Sequence, residues 1–200
     1  MLLPFLHGAL LALGLILPLG PQNSFVLTQG LSQPHLSRAL PAVVTAACCD
    51  SLLILLAAAG VSAAVGAVEW LRQLLLGGGI LFLLWAGWMT WRAAPLVGEA
   101  TAEPVSTRRQ VAFTMACSLG NPHAIVDTIG VIGTSALAYQ GARLVAFTAA
   151  CMAVSWGWFL FLAMAGRLLS RMDLARRLLN PVSAAVMWVS AAYLAVSLFS

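Results

Sequence analysis

Apolar residues run through this chain in long blocks with brief polar punctuation between them, not in the narrow stripes of a soluble fold. The blocks fall near 3–27, 40–66, 72–91, 110–136, 144–166 and 179–199. A crossing helix needs about 20 mostly apolar residues, because the hydrocarbon core is about 30 Å thick and each residue adds about 1.5 Å. The pattern therefore predicts six helices at membrane depth. Three precede a polar linker at 93–109, which holds Pro95, Gly98, Glu99, Glu103 and Pro104, and three follow it. An odd number of crossings in each half turns the halves upside down relative to one another. The expected fold is an all-α integral membrane protein of about six transmembrane helices, arranged as two inverted three-helix repeats. It forms one transporter domain over 1–200, with repeat one at 1–92, a cytoplasmic linker at 93–109 and repeat two at 110–200. The first block lacks a basic start and a small-residue cleavage site, so it is read as a retained helix.

The two halves share a motif. Leu19-Gly20-Pro21-Gln22-Asn23-Ser24-Phe25-Val26-Leu27-Thr28-Gln29-Gly30 returns, offset by 100 residues, as Leu119-Gly120-Asn121-Pro122-His123-Ala124-Ile125-Val126-Asp127-Thr128-Ile129-Gly130. Leu, Gly, Val, Thr and Gly are identical at the first, second, eighth, tenth and twelfth positions. Each copy sets Gly and Pro beside polar side chains inside an apolar block. Paired interruptions in two halves are a pointer to a transporter's binding site. A structural kink is the plainer reading of one such break, since Gly and Pro are tolerated in membrane helices. Two in register, each with amides, favour binding. A half-helix starting after a break presents N–H groups and a positive dipole end to an anion. Gln22, Asn23, Asn121 and His123 add polar side chains nearby. His123 reads equally as a proton relay or a hydrogen-bonded helix partner.

Charge then supplies an orientation. The chain is 62% hydrophobic and 8% charged, with a net charge of +4. All its basic residues are Arg. One side of the predicted topology carries Arg38, Arg92, Arg108, Arg109, Arg167, Arg171, Arg176 and Arg177, and the other carries only Arg72 and Arg143. The positive-inside rule puts the larger group in the cytoplasm and both termini outside. These Arg residues act as topology signals, and the charge does not indicate a nucleic-acid partner.

Asp50 and Asp127 are the only acids inside the predicted helices, while Glu69, Glu99, Glu103 and Asp173 fall between them. A charged side chain at the bilayer centre costs about 3 kcal/mol on insertion scales, so such acids face an interior, a water-filled cavity or a partner. No Arg lies at a span centre to neutralise either one. Two acids without a base point to a cationic cargo, a coupling proton or both. The candidate substrate-binding and coupling residues are therefore Asp50, Asp127, Gly20, Pro21, Gln22, Asn23, Gly120, Asn121, Pro122 and His123. Cys48, Cys49, Cys117 and Cys151 have no metal-ligand spacing. A thiol-electron carrier using Cys48 and Cys151, which match in a weaker part of the repeat, is the rival from another class. No nucleotide or hydrolase motif supports an enzyme, and no metal or cofactor is expected. The Trp residues read as interfacial anchors and packing.

Several of these segments are familiar as a set. Leu17-Pro18-Leu19-Gly20-Pro21-Gln22-Asn23, Cys49-Asp50-Ser51-Leu52-Leu53-Ile54, Leu83-Leu84-Trp85 and Asn121-Pro122-His123-Ala124-Ile125-Val126-Asp127-Thr128 resemble the lysine/arginine exporter family (LysE/ArgO type). The resemblance implies a bacterial inner-membrane exporter of basic amino acids, L-arginine or L-lysine, driven by the proton gradient or the membrane potential. The chain has Cys49 where members commonly have Ser, and Ile125 where an aromatic residue is common, which bears on cargo more than on fold. Neutral amino acids or a metal cation are the alternative cargoes on the same scaffold. A homodimer through Gly- and Ala-rich faces is also compatible with the sequence.

Overall fold

The computed structural model describes residues 1–17, 20–59, 105–120, 125 and 128–170, with scattered helical positions within 77–92 and 181–196. Among the described residues the regular structure is helical throughout. The helices are α1 (Leu2–Ile16), α2 (Pro21–Ser32), α3 (Leu40–Ala58), α4 (Thr107–Leu119), α5 (Gly133–Ala136) and α6 (Ala142–Leu169). A single 3-10 turn, Leu36–Arg38, leads into α3, and a π-helical segment, Thr128–Ile132, leads into α5.

By length and composition α3 and α6 are long and apolar enough to cross a membrane. The pair α1 and α2 qualifies as a third span only when taken together, and their axes meet at 81°. The block expected at 3–27, with a break at Gly20-Pro21-Gln22-Asn23, is two helices parted at that motif, and the second runs on to Ser32. The cause is local. Pro21 occupies the first turn of α2, where its missing N–H is no loss, and its ring is incompatible with a continuous helix through Leu17. Gly20, the N-cap, is extended with φ −77° and ψ −179°. The other spans expected from sequence lie largely outside the described residues.

α6 is the hub: α1, α2 and α3 all pack on it. The α2–α6 crossing brings backbone against backbone. A Cβ on Gly30 would overlap the Ala163 carbonyl, and one on Gly166 would overlap the Leu27 carbonyl. Small residues allow this approach, which is the usual source of contact between helices in lipid. Two apolar clusters result. One joins Val26, Ala42, Val43, Ala46, Ala47, Phe159, Leu162 and Ala163. The other joins Ala12, Ile54, Ala57, Ile132, Ala136, Phe147 and Cys151. Between them lie residues 48–53 of α3 and 155–157 of α6.

The ends of the bundle differ. Arg38, Arg108 and Arg109 lie beside the starts of α3 and α4, and Arg167 lies near the end of α6. Hydrogen bonds draw these segments together. Gln110 Nε2 donates to the Arg38 and Val105 carbonyls, both at 2.9 Å. Gln33 Nε2 donates to Val105 O at 3.0 Å, and Arg167 donates to Gln33 O at 3.1 Å. Arg143, at the start of α6, lies at the opposite end, where His7 Nδ1 and Tyr139 Oη are 2.8 Å apart. For these five Arg residues the structure reproduces the sidedness expected from sequence.

Candidate functional site

Asp50 lies in the gap between the two apolar clusters. It is ten residues into α3, about 15 Å along a helix of about 28 Å, so it is near mid-depth. Each carboxylate oxygen accepts one hydrogen bond. Gln22 Nε2 donates to Oδ1 at 3.1 Å and Ser155 Oγ donates to Oδ2 at 3.0 Å. Gln22 stands in the first turn of α2, directly after the break, and Ser155 stands at the middle of α6. The two donors therefore come from opposite sides of the linker. Gln22 and Ser155 are buried, while Asp50 is half-buried. An ionised carboxylate has about four acceptor positions. Two donors hold its geometry and leave acceptor capacity for a cation, and no described Arg is hydrogen-bonded to it.

The amides at the first break divide the work. Gln22 reaches across to Asp50, with a longer contact of 3.4 Å to the Ala46 carbonyl. Asn23 turns the other way, and its Nδ2 donates to Ile16 O at 2.7 Å. It thereby satisfies a carbonyl at the end of α1 that the break has freed. Gly20 is not needed for its backbone angles, which any residue adopts. Among the described residues nothing lies within 4 Å of where its Cβ would be. The positive end of α2 faces this space, one glutamine side chain from Asp50.

The second break is only partly described. α4 ends at Leu119 with Gly120 as its C-cap, donating to Ala116 O at 2.9 Å. Asn121, Pro122, His123 and Asp127 lie outside the described residues. The chain reappears as a π-helical run from Thr128 that packs on α3. The repeated motif is thus α-helical from Pro21 in its first copy and π-helical from Thr128 in its second. Single π turns are frequent at functional sites. Beside Asp50, the Ser118 hydroxyl of α4 donates to Thr114 O at 2.9 Å, within its own helix.

Ser155 was not among the residues singled out from sequence. Its signal is a lone hydroxyl near the centre of the apolar block 144–166. The cysteines are free, with Cys48 exposed and Cys49, Cys117 and Cys151 buried. Cys151 donates to Gly8 O at 3.4 Å and so serves α1–α6 packing. Among the described residues no group of three or more His, Cys, Asp or Glu is placed to hold a metal ion.

A half-buried acid at mid-depth, beside a broken helix, suits a transporter, and comparison with known proteins identifies which kind. A family model described as LysE type translocator matches residues 13–198. The chain belongs to the LysE family. Among relatives of this LysE-family chain is YisU of Bacillus subtilis (strain 168), whose name specifies amino-acid transport but no particular amino acid. It is 52% identical over 197 residues, covering 97% of this chain and 90% of the relative. The arginine exporter protein ArgO of Pectobacterium carotovorum subsp. carotovorum (strain PC1) is 34% identical over 202 residues, covering 96% of each chain. ArgO of Serratia proteamaculans (strain 568) is 35% identical over 210 residues, covering 98% of this chain and 97% of the relative. No solved structure matches. The family and the apolar helices make the chain an amino-acid transporter of the membrane.

Proposed function

We propose that this LysE-family protein exports basic amino acids, L-arginine foremost, across the bacterial inner membrane through a site centred on Asp50. The observation that carries the reading is the carboxylate itself. It sits at mid-depth between two apolar clusters, held from both sides of the linker, with acceptor capacity to spare. A guanidinium or ammonium group is the natural complement to such a site. The cargo's carboxylate would lie in the space by Gly20, at the positive end of α2. The separation of these two subsites, one glutamine side chain, suits an amino acid whose cation is at the end of an extended side chain. The names of the ArgO relatives add support for arginine.

In this reading the halves 1–92 and 110–200 are inverted three-helix repeats about the linker 93–109, with the Arg-rich end in the cytoplasm. Gly120, Asn121, Pro122, His123 and Asp127 complete the site from the second half. Asp127 or Asp50 carries the coupling proton, or the membrane potential alone drives the cation outward. The apolar clusters act as two seals that part alternately. The test is efflux of labelled arginine and lysine from dipeptide-loaded bacteria that lack their own basic amino-acid exporters. Efflux restored by this chain supports the reading. No efflux, from protein shown to be folded in the membrane, moves the cargo to another class.

A further inference from the structure

α3 and α6 are fastened at mid-depth by hydrogen bonds from consecutive residues. Ser155 Oγ donates to Asp50 Oδ2 at 3.0 Å, and Trp156 Nε1 donates to Ser51 Oγ at 3.1 Å. Helix neighbours point about 100° apart, so the two bonds flank the helix seam from different sides. Ser155 and Ser51 are buried, whereas Trp156 is 41% exposed. The indole thus reaches inward from the surface of the bundle. It carries one N–H and no acceptor, so a bond to Ser51 fixes both its ring and the register of α3 against α6.

The flanking clusters set small residues of one helix against larger ones of the other: Ala46 and Ala47 of α3 share a cluster with Phe159 of α6, and Cys151 of α6 shares one with Ile54 of α3. That packing sets the spacing of the helices, while the directional hydrogen bonds between them set where the polar pairs meet. A slide of one residue is about 1.5 Å and would stretch and misalign the bond from Ser155 to Asp50. We infer that Trp156 is a positioning residue for the cargo site, acting through Ser51 to hold Ser155 against the Asp50 carboxylate. The inference rests on the reading of Asp50 as the cation subsite.

Trp156→Phe keeps the ring's bulk and removes the donor, and Ser51→Ala removes the acceptor. Arginine efflux is measured against internal arginine concentration. Each variant is expected to raise the apparent KM about three- to tenfold, the range of one hydrogen bond, with maximal rate and membrane abundance unchanged. The double variant should be no worse than either single one, and Ser51→Thr should restore the wild-type value. A second readout needs no cargo: labelling of Asp50 by a hydrophobic carbodiimide should be faster in Trp156→Phe, as it is expected to be in Ser155→Ala. Wild-type KM in Trp156→Phe, additive effects of the two substitutions, or unchanged labelling beside faster labelling of Ser155→Ala would overturn the inference. Asp50→Asn separates the two levels. Retained flux there removes the cation subsite itself, whereas lost flux there with a wild-type Trp156→Phe removes only the register lock.

Discussion

Asp50→Asn is the sharpest perturbation because it removes charge while keeping shape. The new amide's oxygen can still accept from Gln22 Nε2, and the Ser155 hydroxyl can reverse to accept from the new NH2. The folded state should therefore lose little, on the order of 1 kcal/mol or less. Binding of a cation should lose much more. Two unit charges 4 Å apart interact by about 4 kcal/mol at an effective dielectric of 20, and solvent on the open side of Asp50 reduces this to about 2–4 kcal/mol. That corresponds to roughly a 30- to 1000-fold loss of affinity. The assay is arginine efflux from dipeptide-loaded cells, with membrane abundance and thermal stability measured in parallel. The expected result is normal abundance and stability with flux near background at ordinary internal arginine. Flux within twofold of wild type, in folded protein, would refute the assignment of cation recognition to Asp50.

Gly166→Ala places a methyl group on the Leu27 carbonyl and should separate α2 from α6, lowering stability by about 1–3 kcal/mol in a detergent melting experiment. Gly20→Val meets no described neighbour at ordinary backbone angles, so stability should shift by less than about 0.5 kcal/mol. If the cargo's carboxylate lies there, arginine efflux by the same variant should fall severalfold. Asn23→Ala removes the donor to Ile16 O and should cost about 1 kcal/mol of stability, seen as a lower melting temperature. Replacing Cys48, Cys49, Cys117 and Cys151 together should leave arginine efflux in place. Efflux abolished in that folded variant would revive the thiol reading.

The sequence announced what depends on composition and what is repeated. Block length revealed α3 and α6 as helices long enough to cross a membrane, and the scarcity of acids in the apolar blocks singled out Asp50 and Asp127, of which only Asp50 is among the described residues. The Gly-Pro-Gln-Asn run marked the break before α2. What it could not reveal was pairing across distance. Gln22 and Asn23 are adjacent amides of like chemistry, and only the 81° bend sends one to Asp50 and the other to Ile16. Ser155 stands 105 residues from its partner, and a lone serine in an apolar helix also reads as packing material. The offset-100 repeat suggested matching breaks; the second falls mostly outside the described residues, and the π-helical run that begins at Thr128 has α-helix at the matching Thr28 of the first copy.

The central place of α6 also sets an order of events during synthesis. α1, α2 and α3 all pack on a helix that begins only at Ala142. At about 5–20 residues per second, the first three helices wait on the order of ten seconds for that surface to leave the ribosome. Ser155 is missing throughout the delay, but Gln22 is not, since it precedes Asp50 in the chain. The nascent protein thus has a polar companion for its mid-membrane acid before the second half exists. Of the two donors to Asp50, Gln22 is thus present from the outset and Ser155 joins it last.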